Sequence, residues 1–342
     1  MENVNEYTPS KAEAVYEHGL IIGKFYPPHL GHLHLIRSAQ KQVKRLTVLV
    51  CTLKAESILG ERRYHWMKTL CPTGVDVLHH TAENPSYPHE HPNFWEIWTK
   101  SILELIPEAP DVVFTSEDYG VRLASCFGAV HICIDPKRQA FPISGSEIRA
   151  NPHLHWDFLP EPVRAYYVKR VAILGAESTG KTTLAQKLAE SYQTAWVPEY
   201  GRSFVAKHNR LPKQEEMLFI AEQQIVTEKK TALLANQVLF CDTTPLTTAI
   251  YAKHYFGISD GPLWDLAKNH SYDLVLLAED DIPWEADGLQ RDGLIVRTAL
   301  QKVFKNTLAD LNIPFYVIEG SLQKRLLQAK KWVNMLFFRE IH

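Results

Sequence analysis

A chain of 342 residues is long enough for two domains of ordinary size, each with its own core. Hydrophobic content of 45% and charged content of 22% are those of a soluble globular protein. A formal net charge of -2 excludes a global attraction to nucleic acid or to an anionic membrane, and no apolar run approaches the ~20 residues that span a bilayer.

The first 18 residues are polar and acidic, unlike a signal peptide, and read as a leader. The five cysteines (Cys51, Cys71, Cys126, Cys133 and Cys241) show no CxxC spacing and three sit in apolar runs. Buried free thiols in a reducing compartment follow, so the expected location is the cytoplasm. A strand at 20–22 runs into Gly23-Lys24-Phe25-Tyr26-Pro27-Pro28-His29-Leu30-Gly31-His32, and Leu35, Ile36, Ala39 and Val43 then give helical spacing. Strands at 46–51, 75–79, 112–115 and 130–134 alternate with helices at 62–70 and 94–106. The pattern predicts a doubly wound α/β domain over 19–155, then a packed, proline- and aromatic-rich linker over 156–167. A second α/β domain is expected over 168–342, with strands at 171–174, 195–198, 238–241, 272–278 and 315–318 and helices at 218–234 and 322–336.

The second domain opens on the strongest motif. Val171 to Leu174 is an apolar strand, and Gly175-Ala-Glu-Ser-Thr-Gly180-Lys181-Thr182 matches G-x-x-x-x-G-K-[ST] before a helix. Glycines turn backbone N–H groups inward, and a helix N-terminus adds positive potential for phosphates. Gly175, Glu177, Ser178, Thr179, Gly180, Thr182 and Thr183 are thus expected around ATP. Lys181 would act on the β- and γ-phosphates and Thr182 on Mg²⁺. Asp242 ends the run Val238-Leu239-Phe240-Cys241, a second place for a carboxylate that holds Mg²⁺. Glu199 follows the preceding strand beside Arg202. Either carboxylate suits a general base; spacing leaves their roles interchangeable.

In the first domain His29 and His32 stand three residues apart at the start of a helix, where Gly31 admits a phosphate to the backbone. Without cysteines or carboxylates at ligand spacing, phosphate hydrogen bonding is favoured over zinc. Ile143-Ser144-Gly145-Ser146-Glu147-Ile148-Arg149 starts another helix, with hydroxyls and an arginine suited to an anion. Together these motifs resemble the HxGH nucleotidylyltransferase superfamily, with Ser146 where threonine is usual and Gly145 where serine is commoner.

From about Gly19 onward the chain resembles the bifunctional nicotinamide mononucleotide adenylyltransferase–ribosylnicotinamide kinase family, the NadR type. The matching residues are GKFYPPHLGH, Arg63 with Trp66-Met67, TSEDYG at 115–120, ISGSEIR, GAESTGKTT, Glu199-Tyr200-Gly201-Arg202 and PWEADGLQRDG. Some members carry an N-terminal helix-turn-helix repressor domain; eighteen residues are too few for one, so no DNA-binding role is expected. The resemblance implies an HxGH nucleotidylyltransferase domain followed by a P-loop kinase. Their substrates would be ATP, nicotinamide riboside and nicotinamide mononucleotide, with NAD as product and Mg²⁺ as cofactor.

The resemblance further implies that Lys24, His29, His32 and Arg149 stabilise charge at the α-phosphate, with Gly23, Phe25, Gly31, Ser144 and Ser146 around ATP. Trp95 or Trp98 could stack on the nicotinamide, and Glu117 and Asp118 could accept from ribose hydroxyls. In the kinase half Lys181, Glu199 and Asp242 would carry the chemistry and Arg202 would meet the substrate. A lid would bring Trp284 and Asp287 to the riboside and Arg291 to the phosphate. The competing reading is another fusion of the same two domain types, such as a coenzyme A synthase. A third, an ATP-responsive scaffold, explains the glycine loop but not Lys181, Thr182, Asp242 and two histidines together. Self-association is left open.

Overall fold

The computed structural model describes residues 16–106, 108–283 and 293–338, and the chain divides into two compact units, Met1–Val163 and Arg164–His342. Trp284, Asp287 and Arg291 lie outside the described residues.

Unit 1 is one parallel sheet of β1 (Tyr16–Gly23), β2 (Val43–Cys51), β3 (Val75–His80), β4 (Val112–Thr115) and β5 (Val130–Cys133), in the order β3-β2-β1-β4-β5. Its helices are α1 (Leu30–Gln40), α2 (Gly60–Leu70), α3 (Phe94–Leu103), α4 (Tyr119–Phe127), α5 (Gly145–Ala150) and α6 (Glu161–Tyr167), the last running past the unit boundary. Alternate strand residues bury on opposite faces. Ile21, Val48, Val50, Val112 and Phe114 pack with Leu35 and Ile36 of α1 and Met67 of α2. Leu20, Leu49 and Val113 pack with Ile102 of α3 and Leu123 of α4. Burial on both faces is why these strands read as continuous apolar runs instead of alternating ones. Polarity misplaced the start of the sheet: β1 begins at Tyr16, three residues inside the stretch expected to be a leader. There His18 is buried, its Nε2 3.0 Å from Thr47 Oγ1. The stretch expected to be a linker holds a short 3₁₀ turn, Trp156–Phe158, and all of α6; the ring of Trp156 stacks on His153.

Unit 2 is a parallel sheet of β6 (Lys169–Leu174), β7 (Trp196–Val197), β8 (Val238–Asp242), β9 (Leu274–Ala278) and β10 (Tyr316–Ile318), ordered β10-β9-β6-β8-β7. Its helices are α7 (Lys181–Tyr192), α8 (Tyr200–His208), α9 (Met217–Ala232), α10 (Pro245–Phe256), α11 (Pro262–Asn269), α12 (Gly293–Asp310) and α13 (Leu322–Phe338). Val171, Ile173, Leu274 and Leu276 face α7 and α13, while Ala172, Leu174, Val275 and Leu277 face α9 to α12. Each such Leu or Ile contributes about 1.5–3 kcal/mol of burial. The helices α4, α8, α10, α11 and α12 were not legible by spacing, although α10 carries a local start signal. Thr244 caps it, its Oγ1 accepting the Thr247 N–H at 3.3 Å, with Pro245 in the first turn.

Candidate functional site

A doubly wound sheet binds ligands beyond the carboxyl ends of its strands, where the winding reverses. In unit 1 that point lies between β1 and β4. The chain leaves β1 through Lys24 and Phe25. Phe25 takes a φ of 45°, and its buried ring meets His32 edge-on at 5.0 Å. Phe25 is an anchor for the turn, and its ring is not open to ATP as expected. The imidazoles of His29 and His32 lie 3.7 Å apart at their centroids, and the His29 N–H donates to His32 Nδ1 at 3.2 Å. That bond assigns the His32 proton to Nε2, the atom left to donate outward. Burial, helped by the Arg138 charge, lowers His29 to about 4; burial and then His29 hold His32 well below its ordinary value. Both rings are held neutral, so their part in stabilising phosphate charge is to offer N–H dipoles and not a positive charge of their own. His29 Nδ1 is buried with no partner.

Arg149 arrives from α5. Its Nη1 donates to the Tyr26 carbonyl at 2.5 Å, its Nη2 to Ser146 Oγ at 3.1 Å, and its carbon lies 4.1 Å from the Tyr26 ring centroid. Gly145 explains its own departure from the commoner serine: a Cβ there would sit 2.6 Å from the Tyr26 carbonyl oxygen. Ser144 caps α5, and the Glu147 carboxylate takes both its N–H, at 2.8 Å, and its hydroxyl, at 2.6 Å. The hydroxyl bond holds the Glu147 carboxyl below the usual range, so in this structure an internal carboxylate fills the place expected for ATP at Ser144. Lys24 is exposed, with Nζ 3.2 Å from Glu56 and 3.3 Å from Ser86 Oγ. Glu117 pairs with Arg138 at 2.9 Å, while Asp118 is exposed at the start of α4. Trp98 is committed to packing, its Nε1 donating to the Pro85 carbonyl at 2.9 Å and its ring stacked on His80. Trp95 instead lines a groove of about 590 Å³ with Thr99, Leu103 and Cys126.

In unit 2 the glycine loop lies between β6 and α7. Gly175 has φ 143° and Gly180 φ 77°, and a Cβ on Gly175 would meet the Ala278 carbonyl oxygen at 2.7 Å. Ser178 also takes a positive φ, 56°. Glu177 and Thr179 are buried and Thr183 is exposed. Lys181 Nζ donates to the Ala176 carbonyl at 2.7 Å, a placeholder across the mouth of the loop. Thr182 Oγ1 donates to Asp242 Oδ2 at 2.5 Å, and Asp242 Oδ1 is buried without a partner. Burial raises the Asp242 carboxyl above its ordinary value, against the pull of Lys181. Because β7 pairs with β8 at Val197 and Cys241, Glu199 leaves the same sheet edge one strand away from Asp242. Arg202 Nε stands 3.9 Å from the Glu199 carboxylate.

Residues 170–325 match the family model of an AAA domain. The chain is 32% identical over 324 residues to the trifunctional NAD biosynthesis/regulator protein NadR of Escherichia coli strain K12, covering 88% of this chain and 78% of that one. The chain belongs to the NadR family. A second NadR, from Salmonella typhimurium strain LT2, is 32% identical over 340 residues, 92% of this chain and 82% of its own. A crystal structure of a NadR protein in complex with NAD and AMP-PNP superimposes with a TM-score of 0.75 at 19% identity, over 94% of this chain and 96% of that one, and so shares its fold.

Four residues that sequence reasoning missed stand in contact with these two constellations or act on them. Glu56 joins Lys24 to Arg63 by ion pairs to both. Burial opposes its ionisation, but the Leu53 N–H and Arg63 outweigh it and hold the carboxyl low. Arg138, held by Glu117 at 2.9 Å, acts on both histidines through its charge, which lowers each. Gln301 of α12 accepts the Ala176 N–H at 3.0 Å and donates to the Ala278 carbonyl at 2.9 Å. Arg325 of α13, 2% exposed, donates to the carbonyls of Thr179 (2.7 Å), Glu279 (2.8 Å) and Gly320 (2.8 Å) and pairs with Asp281. Gln301 and Arg325 approach from distant parts of the chain, and no motif marks any of the four. Among the described residues no helix is long and apolar enough to cross a membrane.

Proposed function

We propose that this NadR-family chain converts nicotinamide riboside to NAD in two steps, each using ATP. Unit 2 phosphorylates the riboside to nicotinamide mononucleotide, and unit 1 transfers AMP from a second ATP to that mononucleotide, releasing pyrophosphate. The observation that carries the reading is the pairing of two different phosphate sites in one chain that resembles NadR over most of its length.

In unit 2 the acceptor 5′-hydroxyl must lose a proton as it attacks the γ-phosphate. Glu199, at the edge beside Arg202, takes that proton. Lys181 exchanges the Ala176 carbonyl for phosphate oxygen when ATP binds. The donor set at Thr182 and Asp242 fits Mg²⁺: two hard oxygen ligands meet there, and the unpartnered Asp242 Oδ1 is a lone pair without a proton donor. Mg²⁺, when bound, neutralises charge on the β- and γ-phosphates.

In unit 1 the attacking group is a phosphate oxygen already ionised at pH 7, so no base is needed and catalysis is alignment plus charge stabilisation. His32 Nε2–H and the His29 imidazole donate to phosphate oxygens, while Lys24 and Arg149 supply full positive charge. Swinging Arg149 toward phosphate costs it the Tyr26 carbonyl but leaves the aromatic contact in reach. Trp95, the less committed of the two tryptophans, is the better candidate for the nicotinamide ring. Purified protein with ATP, Mg²⁺ and nicotinamide riboside should make NAD, with the mononucleotide as intermediate, both read by mass spectrometry. Phosphopantetheine and dephospho-coenzyme A should be inert; turnover of either, with none of the riboside, would overturn the assignment.

A further inference from the structure

Arg297 is 1% exposed, and its Nε, Nη1 and Nη2 are all buried without a hydrogen-bond partner. Desolvating a guanidinium is costly, and arginine is almost never fully buried unless paired. A helix also has no packing need for a charge, since Leu300, Phe304 and Leu308 already supply the apolar face of α12. Such a group persists when something that binds later repays its desolvation.

Its place in the fold says what that is. Arg297 and Gln301 are four apart on α12 and share a face. Gln301 touches Ala176 of the glycine loop and Ala278, the last residue of β9. The helix runs antiparallel to the strands, as βαβ connections require, so Arg297 lies one turn farther out past their carboxyl ends. The neighbouring Thr298 confirms this, its Oγ1 donating to Asp280 Oδ2 at 3.0 Å, two residues beyond β9. Asp242 Oδ1 at the end of β8 and Thr247 Oγ1 in the first turn of α10 are also buried without partners at this same edge.

Resting on the kinase reading of unit 2, we propose that Arg297 is a phosphate-binding residue of that site, its guanidinium taking phosphoryl oxygens of the bound nucleotide or of the phosphorylated product. The planar fork suits two phosphoryl oxygens at once. Folding leaves the charge unpaired so that the phosphate, and not a protein carboxylate, becomes its partner.

The test compares the full chain with Arg297→Met and Arg297→Lys. With Met, phosphorylation of nicotinamide riboside should fall on the order of 10²–10³-fold in kcat/KM, while adenylylation of supplied nicotinamide mononucleotide and Tm hold or Tm rises. Lysine should recover part of the loss. Calorimetric binding of AMP-PNP, ADP and nicotinamide mononucleotide identifies the phosphate: weakened AMP-PNP alone marks the γ-phosphate, weakened ADP as well marks the β-phosphate, and weakened mononucleotide marks the product. Kinase turnover within threefold of the parent, or a lowered Tm with all three affinities unchanged, would overturn the proposal. If the parent fails to phosphorylate the riboside, the kinase reading falls, and the AMP-PNP and ADP titrations still decide whether Arg297 binds phosphate.

Discussion

Replacing Arg325 by Met probes how the glycine loop is held. The guanidinium serves three carbonyls, of Thr179, Glu279 and Gly320, and one carboxylate, of Asp281. Methionine fills a similar length of side chain but leaves all four acceptors in a site that is 2% exposed at Arg325. Breaking a buried charge pair from one side costs about 3–5 kcal/mol, mostly because the remaining acceptors stay desolvated. Asp281 is partly exposed and can rehydrate, which favours the lower end, about 3 kcal/mol. For a unit of this size each kcal/mol moves Tm by about 2–4 °C, so the kinase unit should melt roughly 6–12 °C lower. Differential scanning calorimetry with and without nicotinamide riboside separates this transition, since that ligand is assigned to unit 2 alone and raises it by linkage. The Thr179 carbonyl belongs to the loop, so affinity for AMP-PNP should fall with stability, while adenylylation in unit 1 is spared. In the double variant Arg325→Met, Asp281→Asn, only a small part of the loss should return, because Asp281 can rehydrate while the three carbonyls stay without their donor. A Tm change under 2 °C would show that the clamp contributes little, and full recovery in the double variant would show that the Asp281 pair, not the carbonyls, carries it.

Other outcomes follow from the same geometry. His29 titrates near 4 folded against an ordinary 6.5, so the unfolded chain binds more protons between those values. Its contribution, at most about 3 kcal/mol, is therefore present in full above pH 6.5 and lost as pH falls toward 4; His29→Gln should flatten the pH dependence of unit 1 unfolding in urea over that window. Lys181→Ala should cut riboside phosphorylation by orders of magnitude and spare adenylylation, with His32→Ala doing the reverse; loss of both activities from either folded variant would end the two-site division. Glu199→Gln should lower kinase kcat about 10²- to 10⁴-fold with ATP affinity nearly unchanged. A near-normal kcat would move the base to Asp242, or to water. Chelation of divalent cations should stop the kinase step, and Asp242→Asn should raise the Mg²⁺ concentration needed for half-maximal rate; an unchanged requirement would remove Asp242 from the metal site.

Much of this protein is set by local sequence. The glycine loop is legible because Gly175, Gly180, Lys181 and Thr182 act through backbone conformation and a helix N-terminus, which a dozen contiguous residues decide. The same holds for His29 and His32, whose spacing at the head of α1 brings the rings together. Apolar runs revealed strands buried on both faces and hence the doubly wound class. Short helices such as α8 and α11 do not show, since 9 and 8 residues span barely two turns, too few for a period to stand out, and packing on the sheet stabilises them instead.

Tertiary structure alone decided how the sites are held and which charges are available. Arg325 meets Thr179 from 146 positions away, and Gln301 meets Ala176 from 125. Arg63 reaches back 39 positions to Lys24. Burial, not residue type, makes His29 and His32 neutral donors, leaves Asp242 with an unused oxygen and strands the Arg297 charge without a partner. A sequence names the groups that can ionise, but desolvation and the partners brought by long-range packing determine which of them do.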